Sequence, residues 1–175
     1  MSGAPLMPGL LTAGALFVWA GLVKLRRPGT AEVFLASLGV PAPRLFVRAG
    51  ALLELAAGGG VLFRPQLAAV AVALLYALFA VLVAIQLRQQ TGVPCGCLGA
   101  DTGPASHFHL ALNLVCVALA GAAALAPPPA YPSLAASDPF AAATVGFVAV
   151  SVALLAVAAV NLLPVTMGAW RGAEM

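Results

Sequence analysis

Charge is what this chain has least of. Eight Lys and Arg and five Asp and Glu make up 7% of its 175 residues, against about 25% in an ordinary soluble domain. So few charged side chains cannot cover the surface of a soluble globule of this length, and that class is excluded. The net charge of +3 and pI near 9.1 reflect a handful of basic residues, not a polyanion-binding face, so a nucleic-acid-binding module is excluded too. A disordered tail is ruled out by the 63% apolar content and a mean hydropathy of +1.08. Three cysteines are too few for a disulfide scaffold. There is also no phosphate-binding Gly-Lys-Ser/Thr loop, no dinucleotide fingerprint and no nucleophile elbow.

What is present is apolar sequence in long runs. Five segments approach the ~20 residues that a helix needs to cross ~30 Å of hydrocarbon: Gly9 to Leu25, Leu45 to Phe63, Leu67 to Leu87, Phe108 to Ala126 and Phe140 to Leu163. No charge falls between Arg64 and Arg88 or between Asp138 and Arg171, which makes the third and fifth the clearest. Open strand edges cannot satisfy their backbone in lipid, so the segments are helices. The expected fold is an all-α polytopic membrane helix bundle, with a four-helix core and a fifth transmembrane helix. It forms a single integral membrane domain over residues 1–175, with its core at about 10–126 and the extra helix at about 140–163. Breakers stop each helix: Pro28-Gly29, Pro41-Ala42-Pro43, the Pro94 to Pro104 stretch and Pro127-Pro128-Pro129. Gly14, Gly21 and the Gly58-Gly59-Gly60 run are expected to let helices approach closely. Asn161 and Pro164 predict a kink or an end in the fifth helix.

Orientation follows from basic residues. Lys24, Arg26 and Arg27 follow the first segment and none precedes it, which suits a retained helix with its N-terminus outside rather than a signal peptide. Lys24, Arg26, Arg27, Arg44, Arg48, Arg88 and Arg171 then fall on the cytoplasmic side and only Arg64 outside. The loop from Arg88 to Ser106 is thereby placed on the cytoplasmic face.

That loop carries Pro94-Cys95-Gly96-Cys97-Leu98-Gly99. Two thiols one residue apart can close on each other, with Gly96 letting the backbone bend. A disulfide in so small a ring departs from relaxed geometry and is easily reduced, so Cys95 and Cys97 read as a redox pair. Two alternatives stand beside this. Cys95 and Cys97 with His107 and His109 could supply four zinc ligands, although two His at i, i+2 on a helix diverge; or the cysteines are inert small residues. Ser106 is an expected N-cap, placing a helix's positive end towards the loop. Cys116, about 13 Å further along that helix, reads as a small packing residue.

Glu54 is the second signal, a carboxylate near the middle of the second segment, where its charge costs several kcal/mol. Gly50, Ala57 and Gly58 flank it at helical spacing. Asn113 lies at a comparable depth, and a Glu54–Asn113 contact would satisfy both. This is either a proton or quinone site or polar glue between helices. Arg48 and Lys24 are expected to snorkel to the interface, with Lys24 also able to reach an acceptor on the second helix. His109 reads as an interfacial polar residue.

The Cys-Gly-Cys-Leu-Gly loop followed by a helix bearing Asn113 resembles the methylamine utilisation membrane proteins of the MauE family. Gly21-Leu22-Val23-Lys24-Leu25 with Pro28, and Glu54 with Gly58, resemble the wider DoxX-like group. Leu112 stands where the family pattern would place an arginine. The resemblance covers about residues 10 to 126. It implies a membrane protein of thiol–disulfide chemistry beside a thioredoxin-like partner, helping to mature the disulfide-rich small subunit of methylamine dehydrogenase or other extracytoplasmic proteins. Cys95 and Cys97 would be its redox pair and Glu54 and Asn113 its family-pattern positions. No motif identifies a cofactor; a quinone lodged among the first four helices would serve such electron traffic. A non-catalytic membrane scaffold, and a small transporter using Glu54, are the competing readings. The expected partners are the lipid bilayer and a thioredoxin-like protein, with no nucleic acid.

Overall fold

A computed structural model describes residues 3–90, 92–96 and 105–173, with side chains described as far as Val160. After a single 3-10 turn at Ala4–Leu6, seven helices follow: α1 (Met7–Arg26), α2 (Gly29–Ser37), α3 (Arg44–Phe63), α4 (Pro65–Gln89), α5 (His107–Leu125), α6 (Tyr131–Ser137) and α7 (Pro139–Ala173). Five stretches are long and apolar enough to span a bilayer: Ala4–Arg26, Arg44–Phe63, Pro65–Gln89, His107–Leu125 and Pro139–Val160. These are the five expected segments. The protein is an all-α polytopic membrane bundle, and no strand occurs among the described residues.

The short helices α2 and α6 were not legible as apolar runs, because neither is long enough to cross a membrane. The fifth span also differs from expectation: α7 does not end at Asn161 or Pro164 but continues to Ala173. Proline leaves only one backbone acceptor without its donor and can be carried within a transmembrane helix.

Helix α1 is the central element, packing against α3, α5 and α7. Its partnership with α3 is antiparallel and close. A Cβ built at Gly58 would stand 2.5 Å from the Gly14 carbonyl oxygen, and one at Gly21 would stand 2.8 Å from that of Ala51. Only glycine allows the two backbones to meet in this way. On another face of α1, Phe17 stacks on Tyr76 of α4 with ring centroids 4.0 Å apart, and the Tyr76 hydroxyl donates to the Ala13 carbonyl at 2.9 Å. Cys116 is buried in the same core, as expected of a packing residue. Leu45, Phe63, Leu74, Leu125 and Phe147 lie exposed on the spans, as surfaces solvated by lipid tails must be.

The glycine contacts predict unequal costs for equal changes. Gly58→Ala will lower stability in detergent by about 1–3 kcal/mol through overpacking. Gly59→Ala, with nothing within 4 Å of its Cβ, will leave the thermal midpoint unchanged or slightly raised.

Candidate functional site

The site forms where the α1 C-terminus, the first half of α3, α4 and the loop after α4 converge beneath α2. Glu54 stands ten residues after Arg44, about 15 Å along α3. Its side chain is 4% exposed. Lys24 comes from the last turn of α1. Its stem turns into the bundle instead of out to the interface, and the ammonium donates to Glu54 Oε1 at 2.5 Å. The same ammonium lies 4.6 Å from the centroid of the Phe79 ring. Attraction from the carboxylate and the ring face outweighs the pull of the interface. Arg48, by contrast, is exposed.

The second carboxylate oxygen, Oε2, is buried without a hydrogen-bond partner among the described residues. The expected contact between Glu54 and Asn113 is not formed. Asn113 donates instead to the His109 carbonyl one turn back on its own helix, at 2.7 Å. The physical reason is Phe79: it lines both the cavity holding Glu54 and the separate void, about 10 Å³, that Asn113 lines. Similar depth brought the two residues level but not into touch.

Lys24 and Glu54 sit in the wall of a cavity of about 240 Å³. Phe34, Leu35, Leu75 and Leu82 make most of the remaining wall apolar, and Gly96 closes one side. The loop is set by local chemistry. Gln90 (φ +50°) and Gly92 (φ +66°) take left-handed conformations that turn the chain back at the end of α4. The Gln86 side-chain amide then donates to the Val93 carbonyl at 2.9 Å. Cys95 is thereby fully buried, in a cluster with Phe34 of α2 and Val83 of α4. Gly96 lies so near α2 that a Cβ would stand 2.9 Å from the Ala31 Cα. Close approach to α2 is thus a second reason for glycine at this position. Cys97 lies outside the described residues.

Ser106 caps α5 as expected. Its backbone N–H donates to His109 Nδ1 at 3.3 Å, and its hydroxyl lies 2.8 Å from the same nitrogen. His109 is 1% exposed, its ring folded back over the first turn of α5 by this cap. His107 is exposed, so the two rings do diverge. No group of three or more His, Cys, Asp or Glu side chains suited to a metal occurs among the described residues.

Fold and site together define a multi-pass membrane helix bundle with a buried ion pair next to a cysteine-bearing loop. Residues 3–126 match the family model described as Methylamine utilisation protein MauE, and the chain belongs to that family. The match takes in α1 to α5; α6 and α7 lie beyond it. Comparison with curated proteins and with solved structures gives no match.

Sequence reasoning singled out Glu54 but not its place in an aromatic-walled cavity. Lys24 takes the second of its two expected courses, reaching an acceptor on the second helix instead of snorkelling to the interface; the signal for this is a buried carboxylate in need of a cation.

A buried pair behaves differently from its halves. Lys24→Met alone will cost roughly 3–5 kcal/mol by leaving Glu54 unpaired, and Glu54→Leu alone will cost about as much by leaving the Lys24 ammonium unpaired. The double variant will recover most of that loss, a coupling that a thermodynamic cycle of unfolding in micelles reads directly.

Proposed function

We propose that this MauE-family membrane protein carries out thiol–disulfide exchange, with Cys95 and Cys97 as its redox pair and a thioredoxin-like protein as its partner. The observation that supports this most is the position of Cys95, held in an apolar cluster with the next residue lining the Lys24–Glu54 cavity. A thiol placed only to stabilise a loop needs no neighbour in the wall of a cavity that holds an ion pair.

The exchange runs as follows. A partner thiolate attacks the Cys97 sulfur of a Cys95–Cys97 disulfide, forming a partner–Cys97 bond and releasing the Cys95 thiolate. The partner's second thiolate then attacks the partner's own bonded sulfur, closing the partner's disulfide and releasing the Cys97 thiolate. Two electrons pass from the partner to this protein, and the two thiol protons end on Cys95 and Cys97. Attack falls on Cys97 in this scheme because Cys95 is buried. The process served is maturation of methylamine dehydrogenase or of other extracytoplasmic proteins. By the distribution of basic residues the loop lies on the cytoplasmic side.

One observation favours a second reading, a non-catalytic scaffold for a redox partner. A fully buried thiol is ordinarily inert. The two readings separate in one experiment: maleimide trapping of Cys95 and Cys97 in native membranes, with and without reductant, combined with complementation by Cys95→Ser/Cys97→Ser. Thiol–disulfide exchange predicts two thiols that become reactive only after reduction, and a double variant without activity. Full activity of the double variant would leave the scaffold.

A further inference from the structure

The cavity holding Lys24 and Glu54 has an outlet that the exchange reaction does not use. Phe46 and Leu53 on α3 and Leu78 on α4 border it and are 61%, 54% and 52% exposed. All three belong to membrane spans, so the opening between α3 and α4 faces lipid. A ligand that enters this way dissolves in the bilayer.

The walls narrow its chemistry further. An apolar cavity of about 150 Å³ holds a benzene ring, so 240 Å³ accepts a substituted single ring whose tail remains in the lipid. The polar groups are a donor and an acceptor side by side. The Lys24 ammonium has three protons and gives one to Glu54 Oε1, while Oε2 is buried and without a partner among the described residues. A ring carbonyl can accept from the ammonium, and a ring hydroxyl can donate to Oε2. An acyl chain offers neither. A quinone carries the first group and the corresponding quinol the second. Gly96, beside Cys95, forms part of the same wall.

We infer that this cavity is a site for a lipid-soluble quinone, entered between α3 and α4, with Lys24 and Glu54 binding its ring oxygen. The redox consequence rests on the thiol-exchange reading above. The reduced Cys95 and Cys97 thiols give two electrons and two protons to the quinone, an S–S bond forms, and quinol leaves to the bilayer. Lys24 and Glu54 bind the ring; the thiols are what is oxidised.

Gly50 provides a clean test. It lines the cavity, and a Cβ there meets nothing within 4 Å, so Gly50→Phe is expected to fill the space with the ion pair intact. Decylubiquinone binding to the full chain in nanodiscs is measured by calorimetry, with thermal midpoints taken in parallel. Wild type and Cys95→Ser/Cys97→Ser are expected to bind alike. Gly50→Phe is expected to bind at least about tenfold more weakly, a loss of 1.4 kcal/mol or more, with its midpoint unchanged, while Gly59→Phe binds as wild type. Equal binding by Gly50→Phe, no binding by wild type, or a cavity held by phospholipid that decylubiquinone does not displace would each overturn the site. Binding without quinone reduction by the dithiol form would leave the site standing and remove the redox reading alone.

Discussion

The Lys24–Glu54 pair is the interaction around which this end of the bundle is arranged. A lone carboxylate ten residues into a membrane helix would be costly, and a lone lysine at the end of α1 would turn outwards. Each is tolerated at its depth because the other is there. The bond ties α1 to α3 across the same interface where Gly14 meets Gly58 and Gly21 meets Ala51. The glycines draw the backbones together, and the ion pair sets which side chains face each other. In lipid, burying apolar surface contributes little between helices, so close packing and a polar contact carry the association.

The same pair gives the cavity its character. Without it, the space below α2 would be an apolar hollow bounded by Phe34, Phe79 and leucines. With it, one wall holds a cation and a carboxylate whose second oxygen has no partner among the described residues. Phe79 serves twice, as the ring under the Lys24 ammonium and as the partition from Asn113. The arrangement therefore separates two polar residues that sequence depth alone would have joined.

Helix α2 decides how the cysteine loop sits. It is too short to span the membrane and lies over the end of the bundle, where Phe34 packs on Cys95 and Val83. Ala31 comes so near Gly96 that any larger residue there would have to displace the helix or the loop. The left-handed turn at Gln90 and Gly92 and the Gln86 amide hold the loop's start. A loop that reads as surface-exposed thus places Cys95 inside.

Much of the architecture is readable from the chain itself. Long runs without charge, broken by proline and glycine, can satisfy their backbone in lipid only as helices, so the five spans follow from local chemistry, although α7 runs past Pro164 to Ala173. Glu54 and the Cys-Gly-Cys loop stand out for the same reason, because polar and nucleophilic residues are so scarce. Partners are another matter. Whether Glu54 meets Asn113 or Lys24 depends on how α1, α3 and α5 rotate and pack, and helical periodicity says nothing of that. Nor does it foretell that α2 folds over the loop, that Cys95 is buried, or that a cavity opens between α3 and α4. Spans are set by each segment's own transfer to lipid, whereas contacts between residues thirty or more apart arise only when the helices assemble.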